Sequence, residues 1–179
     1  VEYCNEDIKD VYHELFDDAL KRYNDKQTRK DRKIDDYYKK IRSGKQEKLF
    51  HEVIIQIGDK DNMGSETMEG QLAAKILDEY MKGFQERNPT LRVFAAHLHL
   101  DEATPHLHID FIPYVTGSKR GLDTRVSLKQ ALSSLGFKGG LRSETELNQW
   151  VQSEKQKLAM VMRENEIEWD QKGTHEQHL

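Results

Sequence analysis

The chain has 179 residues, of which 36% are hydrophobic and 34% charged, with a formal net charge of −4. That is one domain's worth of chain, long enough to bury a core and too short for a large multidomain enzyme. The single cysteine, Cys4, excludes an internal disulfide framework and any Cys-rich zinc module, and no apolar run approaches the ~20 residues of a membrane span, so a cytoplasmic protein is expected.

Charge is segregated along the chain. Residues 21–50 carry twelve Lys/Arg against five Asp/Glu, and residues 117–142 carry six against one. Bulk charge speaks against a nucleic-acid partner, whereas this distribution speaks for one, because a phosphate-binding groove needs cations gathered on one surface. Periodic apolar stripes and scarce proline indicate a folded protein with solvated helical faces. The chain opens on Val1 with neither a basic leader nor an apolar stretch behind it, so an internal fragment is expected rather than an exported precursor.

In chain order, Ile8, Val11, Tyr12, Leu15, Phe16, Ala19, Leu20 and Tyr23 recur at helical spacing behind Asn5, a candidate N-cap, and predict a first helix packed on a sheet. Residues 26–42 are very basic, with Ile34, Tyr37, Tyr38 and Ile41 on one helical face before Ser43 and Gly44, and predict a second helix. Residues 50–57 are rich in β-branched side chains and are bounded by Gly58, Asp59 and Asp61, which predicts a strand buried on both faces. A third helix is expected over 68–87. Residues 91–100 and 106–114 are strand-like and separated by five turn-forming residues, a hairpin signal. Residues 115–126 lack periodicity; a short helix follows over 127–135, closed by Gly136, and a long one over 143–165.

The hairpin carries the chemistry. Alternate residues of a strand share a face, so His97 and His99 project together from one arm while His106, His108 and Asp110 project together from the other. Leu98, Leu100, Leu107, Ile109 and Phe111 take the opposite face. A strand face loaded with imidazoles is costly to explain as packing, since each ring needs polar partners, and a divalent cation supplies a common one. Ligation by His99, His106 and His108 leaves coordination positions open for water or substrate, the mark of a reactive site. In the turn, Glu102 and Asp101 are placed either to ligate the metal, to orient a histidine, or only to cap the hairpin. Asp110 is a candidate outer acceptor, with a solvated strand carboxylate as the bland alternative. His97 is a weaker candidate for metal contact or catalysis. The terminal His175 and His178 are read as solvated and without function.

The run His99-Leu100-Asp101-Glu102-Ala103-Thr104-Pro105-His106-Leu107-His108 resembles the third motif of the Mob/Pre (MobV-type) relaxases, and His106-Leu107-His108 resembles the His-hydrophobic-His element of the wider HUH endonuclease superfamily. The basic run from Gly117 through Ser118, Lys119, Arg120, Gly121, Leu122, Asp123 and Thr124 to Arg125 resembles the segment that follows this motif in relatives from Gram-positive mobile elements. The resemblance covers most of the chain. It implies an α+β fold, an antiparallel sheet of about five strands with flanking helices, forming one catalytic-core domain over 1–179. It also implies that His99, His106 and His108 hold the cation and that Glu102 assists near it; Asp101, from its place in the same turn, stands beside Glu102 as a candidate catalytic carboxylate. The expected metal is manganese, with magnesium, zinc, cobalt or nickel as alternatives.

The activity so implied is metal-dependent nicking and strand transfer at a plasmid origin of transfer, through a 5′-phosphoryl protein–DNA intermediate. The implied partners are single-stranded or hairpin origin DNA and accessory mobilisation proteins. Lys119, Arg120 and Arg125 are the candidate DNA-backbone contacts, because they follow the metal strand closely. The family's nucleophile lies in an N-terminal motif with no counterpart here, so the family's first strand and nucleophile are expected to be missing from this chain. Tyr37 and Tyr38 are the minority in-chain candidates, with aromatic packing the favoured reading of both. The rival readings are a replication-initiator-type HUH endonuclease, a non-cleaving DNA-binding module stabilised by its metal, and a mononuclear metal oxygenase using His99 and Asp101.

Overall fold

The computed structural model describes residues 1–58, 64 and 66–165. The described residues form an α+β fold in which a five-stranded antiparallel sheet is flanked by six α-helices. His175, His178, Asp59 and Asp61 lie outside the described residues.

The hairpin is the spine of the sheet. Strands β3 (Leu91–His99) and β4 (His106–Val115) pair antiparallel, with β1 (Glu2–Asn5) outside β3 and β2 (His51–Gln56) outside β4. A two-residue strand, β5 (Arg125–Val126), pairs with the far end of β4. Sequence patterning placed no strand ahead of the first helix. Four residues are too few for a period-2 signal, and β1 exists because Glu2 and Cys4 find partners opposite His97 and Ala96. Asn5 therefore ends a strand, and Asp7 takes the N-cap of α1 (Ile8–Asp25), its carboxylate accepting from the Lys9 and Asp10 amides.

One face of the sheet is packed under four helices. Ala96, Leu98, Leu107, Ile109 and Phe111 meet α3 (Met68–Lys82), α4 (Phe84–Arg87), α5 (Leu128–Ser134) and α6 (Glu146–Glu164) in a core that includes Ile76, Tyr80, Leu132 and Trp150. Each such aliphatic or aromatic side chain contributes about 1.5–3 kcal/mol by leaving water. Thr67, Ser127 and Thr145 cap the first turns of α3, α5 and α6 through their hydroxyls. The predicted 68–87 helix is divided at Gly83 into α3 and α4.

The other face is covered only at one end. There Val11, Tyr12, Phe16 and Ala19 of α1 pack on Phe94, Ala95 and Ile112, with Tyr37, Leu122 and Val126 completing the cluster. Toward the β3–β4 turn no described helix crosses this face, and His97 and His108 stand there 32% and 27% exposed, with His106 at 12%.

Three further expectations need correction. The helix expected over 26–42 reduces to a 3-10 turn, Lys30–Arg32, and a short α2 (Tyr37–Ser43) capped by Asp36. Residues 26–29 and 33–36 offer few apolar groups to bury, and the Asn24 side chain holds the Ile34 backbone in a non-helical crossing. The strand expected to be buried on both faces is a half-buried edge strand, with Glu52, Ile54 and Gln56 exposed. Leu100, expected on the core face, lies past the end of β3 and is 42% exposed.

Candidate metal centre

The register of the hairpin brings its imidazoles together. His99 pairs directly with His106, and His97 with His108. The rings of His99 and His106 stack at 5.1 Å, and the His108 ring lies 5.0 Å from each. His97 stands one position back, 6.3 Å from His99. All three proposed histidine ligands therefore occupy one patch of the sheet, at the open end of the face that α1 covers elsewhere.

The partners of these rings decide which nitrogen is available. His106 Nδ1 lies 2.9 Å from the Thr104 carbonyl oxygen, which can only accept, so Nδ1 carries the proton and Nε2 presents a lone pair. His108 Nδ1 lies 3.2 Å from a Glu52 carboxylate oxygen and follows the same logic. His97 Nε2 is 3.2 Å from Glu2. Both outer strands thus contribute a carboxylate to a histidine of the central pair, and the buried turn residue Thr104 supplies the third acceptor. Anchoring the outer nitrogen of a ligating histidine sets the ring orientation and raises its basicity.

Among the described residues, His99, Glu102 and His106 place ligand atoms within 4.8 Å of one another. Glu102 also lies 3.6 Å from His106 Nε2. This donor set of imidazole nitrogen and carboxylate oxygen fits a divalent first-row metal. His108 is at ring distance but outside that tight group, its Nδ1 turned toward Glu52. Asp101 is exposed in the same turn and is not among the converging donors.

Asp110 completes the face. It pairs with Glu52 across the β2–β4 ladder, and one of its carboxylate oxygens is buried without a hydrogen-bond partner. Burial pushes the Asp110 carboxyl up, the neighbouring Glu52 charge adds to the effect, and His108 and His97 partly offset it. Glu52 and Glu2 escaped sequence reasoning. Glu52 alternates with Val53 and Ile55 as any solvated edge residue does, and only strand pairing reveals what it faces.

A family model described as plasmid recombination enzyme, Mob/Pre, matches residues 1–166. The chain belongs to the Mob/Pre family. No curated protein and no solved structure is matched.

The remaining site candidates of this Mob/Pre chain fall elsewhere in the fold. Tyr37 is buried in an aromatic cluster with Tyr12 and Phe16, and its hydroxyl accepts a 3.0 Å hydrogen bond from the Val126 amide. Tyr38 packs edge-on against Tyr12, with the Lys9 ammonium over its ring. Lys119 and Arg120 are exposed in the loop after β4. Arg125 is half-buried on β5, its Nε donating to Ser118 Oγ at 2.9 Å. No helix among the described residues is long and apolar enough to cross a membrane.

Proposed function

We propose that this chain is the metal-binding catalytic core of a relaxase of HUH type, which nicks one DNA strand at an origin of transfer and transfers it through a 5′-phosphoryl protein–DNA link. The observation that carries this reading is the triangle of His99, His106 and His108, with ring separations of 5.0–5.1 Å on an open sheet face. Family membership supports it from the other side, since Mob/Pre is described as plasmid recombination enzyme.

In this reading His99, His106 and His108 hold a divalent cation, with Glu102 beside them and Asp101 in the same turn. Manganese is the proposed ion. When bound, such an ion would supply Lewis-acid neutralisation of charge at a scissile phosphate and help to orient it. The chain's own part is orientation: Thr104 and Glu52 fix the tautomers of His106 and His108, and the α3 to α6 layer holds the sheet rigid from behind. The open face admits an extended strand, and Lys119, Arg120 and Arg125 contact its phosphates. Neither tyrosine of α2 is proposed as the attacking side chain, because the phenol of Tyr37 is committed to packing and to the Val126 amide and Tyr38 packs edge-on against Tyr12.

The decisive experiment incubates this chain, and a longer version of the protein, with single-stranded origin DNA and manganese, then looks on a denaturing gel for protein joined to the 5′ end of a cut strand. An adduct in the longer version alone supports the proposal in full. An adduct in this chain that disappears in a Tyr37→Phe, Tyr38→Phe variant moves the nucleophile to the helix layer. No adduct in either, with DNA still bound, favours a non-cleaving binding module.

A further inference from the structure

A second concavity lies away from the histidines, between the C-terminal part of α1, α2 with the loop after it, and the loop that ends in β5. Its volume is about 700 Å³, inside the ~300–1,000 Å³ range of small-ligand clefts. Lys40, Lys45, Arg120 and Arg125 line it, against a single carboxylate, Glu47, among the described residues. None of the four cations is in an ion pair among the described residues, whereas Arg22 on the neighbouring surface of α1 is bound two-pronged to Asp123. The Nε of Arg125 is fixed by Ser118, which leaves its terminal nitrogens available. Apart from Gln46, apolar and aromatic groups form the rest of the wall, Tyr23 and Tyr37 among them.

Cations around an aromatic, apolar wall match a phosphate joined to a planar base. We infer that this pocket takes up one nucleotide of a single DNA strand, with its phosphate among Lys40, Lys45 and Arg120 and its base against the Tyr23 ring. The inference rests on the reading that the protein handles single-stranded DNA, and it adds a binding site on the helix layer separate from the imidazole patch. Seating one nucleotide there anchors the strand at a distance from the phosphate held at the histidines. It also gives the otherwise costly concentration of cations around α2 a structural use.

Binding of a labelled, mixed-sequence oligonucleotide of about 16 nucleotides is followed by fluorescence anisotropy across a salt series. Lys45 and Arg120 are exposed, so Lys45→Gln, Arg120→Gln leaves the fold intact and lowers the salt slope by about 1.4, or ~0.7 per lost contact on a single strand. Tyr23→Leu keeps apolar bulk on α1 but loses the ring face and weakens binding about tenfold, while Tyr23→Phe binds as the parent does. A parent chain that binds no single-stranded DNA overturns both this inference and the function proposed above. Tight parental binding that none of these variants alters overturns the pocket, and with it the Arg120 phosphate contact, but leaves the metal centre and the nicking reaction proposed above untouched. A deoxynucleoside monophosphate that binds as tightly as the oligonucleotide would make the ligand a free nucleotide and overturn the assignment to a strand.

Discussion

His108 and Glu52 meet across the β2–β4 ladder with a carboxylate oxygen 3.2 Å from Nδ1, one strand in from the edge of the sheet. The pair is diagonal: Glu52 stands opposite Asp110, and His108 opposite Ile54. A carboxylate from a strand more than fifty residues away thus selects the tautomer of a histidine that belongs to the hairpin. This arrangement makes the candidate metal centre depend on β2 being in register as well as on the hairpin itself.

Replacing Glu52 by Gln is therefore expected to lower divalent-metal affinity by about 10- to 100-fold, with the fold retained. Titration calorimetry with manganese or cobalt, paired with circular dichroism, measures both quantities. Affinity equal to that of the parent would show that Glu52 does not orient His108.

His99→Ala and His106→Ala remove rings from the centre of the patch and should each abolish measurable metal binding at micromolar concentrations. Thermal stability without metal should change little, because His99 lies on the open face and the core lies on the other side of the sheet. Stripping the parent with a chelator should likewise leave a folded protein, as expected of an open site rather than a structural one. Unfolding on chelation would favour a structural ion.

His51, on β2, is stacked on Phe111 with its Nε2 buried and unpartnered. Burial holds its imidazole down at about 4, below the ordinary 6.5, and the nearby Lys48 adds to the effect. The unfolded chain takes up a proton as pH falls through 6.5, while the folded protein does so only near 4, so stability is fully present above 6.5 and is lost progressively between those values. After allowance for its partial exposure, the parent should lose about 1 kcal/mol more than His51→Phe between neutral pH and pH ~5. Urea denaturation of both proteins at the two pH values tests this; parallel losses would refute it.

Asn88 joins α4 to α6 at the back of the sheet. It is 2% exposed, donates to the Phe84 carbonyl and to Glu154, and accepts from the Trp150 indole at 2.8 Å, while Tyr80 and Arg87 also bind Glu154. Asn88→Ala leaves the buried indole N–H without its acceptor and should destabilise the fold by about 2–4 kcal/mol. Chemical denaturation provides the measure, and a cost below about 0.5 kcal/mol would mean that water replaces the lost side chain.

The hairpin was legible because all of it is local. Strands 91–99 and 106–115 are adjacent in the chain, so period-2 alternation alone put His97, His99, His106, His108 and Asp110 on one face and Leu98, Leu107, Ile109 and Phe111 on the other. The helices around Phe16, Ile76 and Trp150 were legible because their signals too are local, although their N-caps, Asp7, Thr67 and Thr145, were not. By itself, then, the sequence determined the α+β class, the imidazole face and the family motif.

Which carboxylates serve those imidazoles was decided only in three dimensions. Glu2 and Glu52 reach His97 and His108 because β1 and β2 pair on opposite sides of the hairpin, and no local pattern encodes the register between strands separated by dozens of residues. The same holds for the basic pocket, where Lys40 and Arg125 become neighbours through the packing of α2 against β5. Side-chain alternation is a property of a single strand. Strand order, register and the end of the sheet left open by α1 follow from burying both faces of the sheet at once, and that requirement binds the whole chain.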